Sequence, residues 1–139
     1  MSLPSVENAR IDSLPVVRDS RGVLTVVDFS KIVPIVVARL FYVCGVSAGT
    51  SRGGHAHYRC SQYVICQRGR LGLSLADGIR ERSLELSAGQ AVLIKAGIFA
   101  TQVYLDDDSL SLVLCDRPYE AEDYIHGMDA FVKYRGEKA

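Results

Sequence analysis

The sequence predicts an all-β fold, a barrel or jelly roll with a short helical segment at its C-terminal end, and three observations predict it. Apolar residues alternate with polar or small ones along most of the chain, the period of a half-buried strand. Glycines and acidic residues that favour turns interrupt this alternation at short intervals, the pace of a sandwich or barrel. The length of 139 residues and 48% hydrophobic content fit a single domain spanning 1–139 with a substantial core.

The elements follow in order. Ile35 to Val46 is rich in β-branched and aromatic residues and predicts a strand, and Arg52 to His57 predicts another among glycines. Gln62 to Gln67 continues the pattern, and Leu71, Leu73 and Leu75 alternate with Gly72, Ser74 and Ala76. Asp77-Gly78 predicts a tight hairpin turn, because both residues tolerate the positive φ such turns require. Ile79 to Leu86, Ala91 to Lys95 and Thr101 to Leu105 predict further strands, and Asp106-Asp107-Asp108 predicts a solvated turn before Leu110, Leu112 and Leu114. That acidic triplet lacks the spaced oxygen ligands and central glycine of a calcium loop. Pro118 to Lys133 loses the alternation. Glu120, Glu122 and Asp123 at its start, with Lys133 and Arg135 after, predict one or two short helices outside the barrel.

Sixteen basic and sixteen acidic residues cancel, which removes the positive field that nucleic-acid binding needs. Small anions remain accessible to Arg21, Arg39, Arg52, Arg59 and Arg70. The longest apolar stretch, Ile32 to Val46, is interrupted by Pro34 and Arg39, so no membrane span is expected. The start of the chain shows no basic segment followed by an apolar one, so no signal peptide is expected either. Cys44, Cys60, Cys66 and Cys115 form no C-x-x-C pair and lack the density of a stapled secreted domain. A reducing cytoplasm is the expected location. Apolar neighbours predict buried inert thiols at Cys44, Cys66 and Cys115, whereas Cys60 lies close to His57.

Two of the three histidines, His55 and His57, are separated by one alanine, and side chains two apart on a strand project to the same face. The order Gly49, His55, His57, Gln62, Gly69 resembles the first motif of the cupins, small β-barrels, with Gln62 where a metal-binding glutamate is usual. Gly89, Lys95, Gly97, Ala100 and Tyr104 fall at the spacing of the second cupin motif, so Ala100 replaces the third histidine. Two neutral imidazoles and an amide offer no anionic ligand to a divalent ion, and no metal or other cofactor is expected. Histidines with a pKa near neutrality are then free to move protons.

A narrower likeness covers about Asp19 to Phe131. Asp19-Ser20-Arg21-Gly22, Val33-Pro34, Arg39-Leu40-Phe41-Tyr42, Arg52-Gly53-Gly54-His55-Ala56-His57, Gln62, Gly69, Asp77-Gly78 and Tyr119-Glu120-Ala121-Glu122-Asp123-Tyr124-Ile125 follow in order. The chain resembles the WxcM-like cupins, sugar 3,4-ketoisomerases that act on dTDP-4-keto-6-deoxyglucose. The resemblance implies an RmlC-like cupin barrel and a cytoplasmic homodimer that moves a ketone between C4 and C3 of a nucleotide sugar through an enediol, without metal. His55 is then the expected base at C3 and His57 its partner in proton delivery, with the reverse order open. Arg52 and Gln62 are candidates for holding the enediolate oxygen, and Arg52, Arg39 and Arg21 for holding the diphosphate. Phe99 and Tyr42 complete the expected substrate-binding set.

Several positions depart from the family pattern. Phe41 stands where a tyrosine is common, and Tyr42 faces the other way on a strand. Tyr58 replaces a frequent lysine, Phe99-Ala100 replaces a tryptophan followed by histidine or arginine, and Met128 replaces a tyrosine. These changes keep open two other readings, a non-catalytic sugar-nucleotide or carbohydrate-binding cupin and a metal-dependent cupin enzyme. The histidine–aspartate dyad of the related C3/C5 epimerases is not evident in the sequence.

Overall fold

The computed structural model describes residues 2–138. Its strands are β1 (Ile11–Ser13), β2 (Val16–Asp19), β3 (Gly22–Thr25), β4 (Arg39–Val43), β5 (Thr50–His57), β6 (Gln62–Arg68), β7 (Arg70–Ala76), β8 (Glu81–Ser87), β9 (Gln90–Ile94), β10 (Phe99–Tyr104), β11 (Leu110–Cys115) and β12 (Tyr124–His126). One α-helix, α1 (Met128–Lys138), ends the described chain. Two five-stranded antiparallel sheets, ordered β1-β9-β6-β11-β4 and β12-β5-β10-β7-β8, face each other, and β2 and β3 form a separate hairpin. This is the all-β, cupin-like jelly roll expected from the alternation.

Strand parity decides which side chains meet between the sheets. In β6, Val64 and Cys66 point inward with Val113 and Cys115 of β11, and they meet Leu71, Leu73 and Leu75 of β7 and Tyr104 of β10. The opposite faces of β6 and β11 are buried too. Tyr63, Ile65 and Leu114 pack under Val33, with Val27, Ile32, Ile35 and Val37 against them. That cover corrects the expectation of a strand from Ile35 to Val46, since only Arg39–Val43 pairs as strand. Proline at position 34 has no N–H to give a ladder, and the segment crosses the sheet as an apolar lid.

The C-terminal region supplies a second correction. Between a 3₁₀ turn at Ala121–Asp123 and α1, Tyr124–His126 extends the second sheet by pairing with His57, Ala56 and His55 of β5. A three-residue strand is too short to announce itself by alternation. Behind it, α1 buries Phe131 completely against Ala56, Ala76, Phe99 and Ile125. Phe99 therefore belongs to this outer core, its ring 5.4 Å from that of Phe131. Cys44 also departs from expectation, lying exposed just after β4.

Asp77 does more than turn the β7–β8 hairpin. Its carboxylate accepts from the N–H groups of Val6, Ile79 and Arg80 and from the Ser5 hydroxyl, tying the N-terminal segment to the turn. Burial alone would raise its pKa, but the four donors outweigh it and hold the carboxyl at about 2.

Candidate active site

The open end of the jelly roll contains a cavity of about 350 Å³ lined by residues from both sheets, among them Arg39 and Phe41 of β4, Arg52, His55 and His57 of β5, and Ala100 and Gln102 of β10. A larger groove of about 710 Å³ runs between the N-terminal segment and Lys31–Pro34, but the side chains lining it include no imidazole or thiol. The paired histidines and a thiol line the smaller cavity.

One irregularity in β5 makes this possible. Arg52 pairs with Gln102 and Gly53 with Thr101, yet His55 pairs with Ala100, so Gly54 is an extra residue and the register shifts. Without that bulge, Arg52 and His55 would face opposite sides of the sheet. With it, Arg52, His55 and His57 share the inner face, while Ala56 points outward beneath α1. Glycine is required at both positions: Gly53 and Gly54 have φ of +95° and +79°. A Cβ at Gly53 would also sit 2.9 Å from the Ala100 carbonyl oxygen.

The two imidazoles stand edge to face, ring centroids 5.2 Å apart. Tyr124 closes over both, its ring 4.4 Å from His57 and 4.9 Å from His55, and stacks on the far side against His126 at 5.5 Å. His57 is only 6% exposed. Its Nδ1 lies 3.2 Å from Oδ2 of Asp123, whereas its Nε2 is buried without a hydrogen-bond partner among the described residues. The contact with a carboxylate assigns the proton to Nδ1, which leaves the Nε2 lone pair available. Asp123 is itself fixed, because its oxygens accept from the N–H groups of Arg59 at 2.8 Å and Cys60 at 3.1 Å.

The electrostatics favour neutral rings. Burial, then the neighbouring His57 and His126, push His55 down from 6.5 to about 4. Burial also lowers His57, against the opposing pull of Asp123. At neutral pH both are bases with a free lone pair rather than cations. His57, Cys60 and Asp123 bring one potential ligand atom each within 4.8 Å of one another. Their donor set does not suit a cation, since both Asp123 oxygens are taken by N–H donors and His57 Nδ1.

Other residues singled out in the sequence distribute as follows. Arg39 spans the cavity wall, its guanidinium carbon 5.6 Å from the centre of the Phe41 ring and 5.7 Å from that of Tyr119, with Nε donating to the Arg117 carbonyl. Arg52 and Gln62 both line the cavity, Gln62 donating to the Cys115 sulfur at 3.6 Å. Tyr42 is 62% exposed and reaches only its rim. Phe99 does not line it, being turned toward α1 by strand parity, and its neighbour Ala100 takes the inward place. Arg21 is not brought to the cavity either. It sits exposed between β2 and β3, paired with Asp19 at 2.6 Å.

Asp123, Tyr124 and His126 were not predicted as site residues. Asp123 was legible as one acid in a run expected to start a helix and as part of the Tyr119–Ile125 segment that carries the resemblance, and neither marked it as a site residue. The dyad absent from the sequence reading is present in space, 66 residues apart along the chain.

Comparison with known proteins shows the family and the fold. The family model described as FdtA: WxcM-like, C-terminal matches residues 7–136. The chain is 30% identical over 118 residues to the TDP-4-oxo-6-deoxy-alpha-D-glucose-3,4-oxoisomerase of Aneurinibacillus thermoaerophilus, covering 84% of each. Among solved structures it is similar to the WlaRB TDP-quinovose 3,4-ketoisomerase of Campylobacter jejuni, with a TM-score of 0.82, 27% identity, and 92% and 99% of the two chains covered. The fold also matches QdtA, a sugar 3,4-ketoisomerase of Thermoanaerobacterium thermosaccharolyticum solved with TDP, with a TM-score of 0.86 at 22% identity over 96% and 98% of the chains.

Proposed function

From the chain's membership of the WxcM-like FdtA family and the paired imidazoles of its cavity, we propose that it is a sugar-nucleotide isomerase that moves a ketone between C4 and C3 of a TDP-4-keto-6-deoxyhexose by histidine acid/base catalysis. The observation that carries the reading is the unpartnered His57 Nε2, buried and held by Asp123 in a cavity shared with a second neutral imidazole. An unpaired polar atom in such a place is costly unless a substrate completes it.

The C4 ketone acidifies the hydrogen on C3. His57 Nε2 takes that proton, and the electron pair moves through C3–C4 onto the C4 oxygen to give an enediolate. His57 gives that proton to the C4 oxygen, and His55 takes the O3 proton and delivers it to C4, which leaves the ketone at C3 and both imidazoles neutral again. The Asp123 carboxylate stabilises the imidazolium formed on His57, which supports assigning the base there and the proton-delivering role to His55, the reverse of the order favoured by the sequence. Arg52 and Gln62, which both line the cavity, are the donors we assign to the developing oxyanion. Tyr124, whose pKa is raised by burial and which therefore keeps its proton, supplies a cavity hydroxyl where Phe41 has none.

A volume of about 350 Å³ accommodates the hexose. The nucleotide then extends past Arg39 and Tyr42 at the mouth, where a guanidinium suits a diphosphate. The reaction described needs no metal or organic cofactor. We assign a homodimer as the working form, supported by the β2–β3 hairpin, which exposes Val17, Val23 and Leu24 in the single chain. Among the described residues no helix is long and apolar enough to cross a membrane.

Incubation with TDP-4-keto-6-deoxyglucose in deuterium oxide tests the proposal. The expected result is solvent deuterium in the sugar ring and a 3-keto product, detected by NMR. Ligand-induced thermal stabilisation with no exchange and no product would overturn it in favour of a binding protein.

A further inference from the structure

We propose that Gln102 and Arg52 form a donor pair that takes an anionic oxygen of the bound sugar nucleotide, with the Gln102 amide turned into the cavity by a buried relay from Ser111 through Tyr104. The pair comes from strand register. Gln102 of β10 lies directly across from Arg52 of β5, which sets the two side chains next to each other, and both line the cavity. Tyr104, two residues along β10 from Gln102, lines it too.

Hydroxyl chemistry fixes which way the amide points. The Tyr104 oxygen lies 3.3 Å from Oε1 of Gln102 and 2.8 Å from Oγ of Ser111. A carboxamide oxygen only accepts, so the tyrosine hydrogen goes to Gln102 and Ser111 donates to the tyrosine oxygen. With the amide flipped, the tyrosine hydrogen would go to Ser111, whose own hydrogen would be buried with no acceptor among the described residues. Burial raises the Tyr104 pKa against the opposing effects of Ser111 and Arg52, so the phenol keeps its hydrogen at neutral pH. Ser111 belongs to one sheet and Tyr104 to the other, which anchors the relay from both sides.

With its oxygen taken, Gln102 has only N–H groups left to offer, and among the described residues its side chain makes no other hydrogen bond. Arg52 beside it meets no acid, because neither Asp nor Glu lines the cavity. Adjacent donors, one of them cationic, on a wall without carboxylates suit an anionic oxygen. A sugar nucleotide supplies that chemistry in two places, the enediolate oxygen formed during turnover and the phosphate on C1. The enediolate rests on the proposed isomerase function, whereas the phosphate needs only that a nucleotide be bound.

The test uses the whole chain carrying Gln102→Met, which keeps the length of the side chain and removes its donors. Turnover of TDP-4-keto-6-deoxyglucose and calorimetric titration with TDP alone are measured on the same folded preparation. An enediolate acceptor lowers kcat about tenfold or more and leaves the TDP affinity unchanged, whereas a phosphate acceptor weakens TDP by a similar factor and raises KM with it. Tyr104→Phe, which frees the amide to rotate, should move the same parameter in the same direction by less; a merely structural tyrosine would lower the melting temperature alone. Unchanged kcat and unchanged TDP affinity in the Met variant would overturn the pair, and a Phe variant that matches wild type in both would overturn the relay. Absence of deuterium exchange in the wild type would sink the isomerase reading, and the TDP titration would then judge the pair by itself.

Discussion

Replacing Asp123 with Asn removes the charge beside His57 while leaving an oxygen to accept from the Arg59 N–H. The lost interaction is a charge-assisted hydrogen bond of 3.2 Å between groups that are both almost wholly buried. Bonds of this kind contribute about 1.5–3 kcal/mol, and because the imidazolium exists only while the proton is in transit, most of that falls on the transition state. Each 1.36 kcal/mol is about a factor of ten in rate, so kcat should fall by about 10-fold to about 160-fold with little change in KM. The pH profile gives a second, sharper readout. In the wild type, burial depresses the His57 pKa and Asp123 opposes it, so the Asn variant should have a still lower His57 pKa. A base must be deprotonated to act, and the acid limb of kcat/KM should therefore move to lower pH. NMR-monitored deuterium exchange across a pH series would measure both. An unchanged kcat with an unshifted limb in a folded Asn variant would refute the dyad as the catalytic base.

Further outcomes follow from the same geometry. Gly53→Ala forces a side chain into φ +95° and against the Ala100 carbonyl, costing about 1–3 kcal/mol. It should lower the denaturant midpoint and kcat together, because the bulge that turns His55 inward is disturbed. Phe131→Ala empties a fully buried site beneath β5 and β12 and should cost about 3–5 kcal/mol by urea unfolding. Asp77, held at about 2 against an ordinary value of 3.8, contributes about 2 kcal/mol of stability at neutral pH. Its folded pKa is the lower one, so this contribution is present above about pH 4 and lost as pH falls toward 2. Unfolding of Asp77→Asn should show a correspondingly flatter dependence over that range.

The all-β class, most strand positions and the single-face pairing of His55 with His57 were legible in the sequence, because a period of two is a local property and two imidazoles at that spacing can hardly face apart. The Gln62 and Ala100 substitutions were legible for the same reason, each being a residue type at a fixed offset from those histidines. Tertiary structure decided what depends on distance along the chain. Phe99 and Arg21 were expected at the substrate from the family resemblance, yet within the single chain parity turns one under α1 and the β2–β3 hairpin carries the other to the surface. The bulge at Gly53–Gly54 shows as a register shift only when β5 lies beside β10, and it alone brings Arg52 to the histidines' side. Asp123 and Tyr124 joined the site because three residues of β12 add to the edge of β5, a pairing stabilised by Phe131 and Ile125 packing behind it rather than by any propensity of their own. Residue spacing determined which groups share a face; the packing of distant segments determined which of them meet, which are neutral, and which nitrogen is left free.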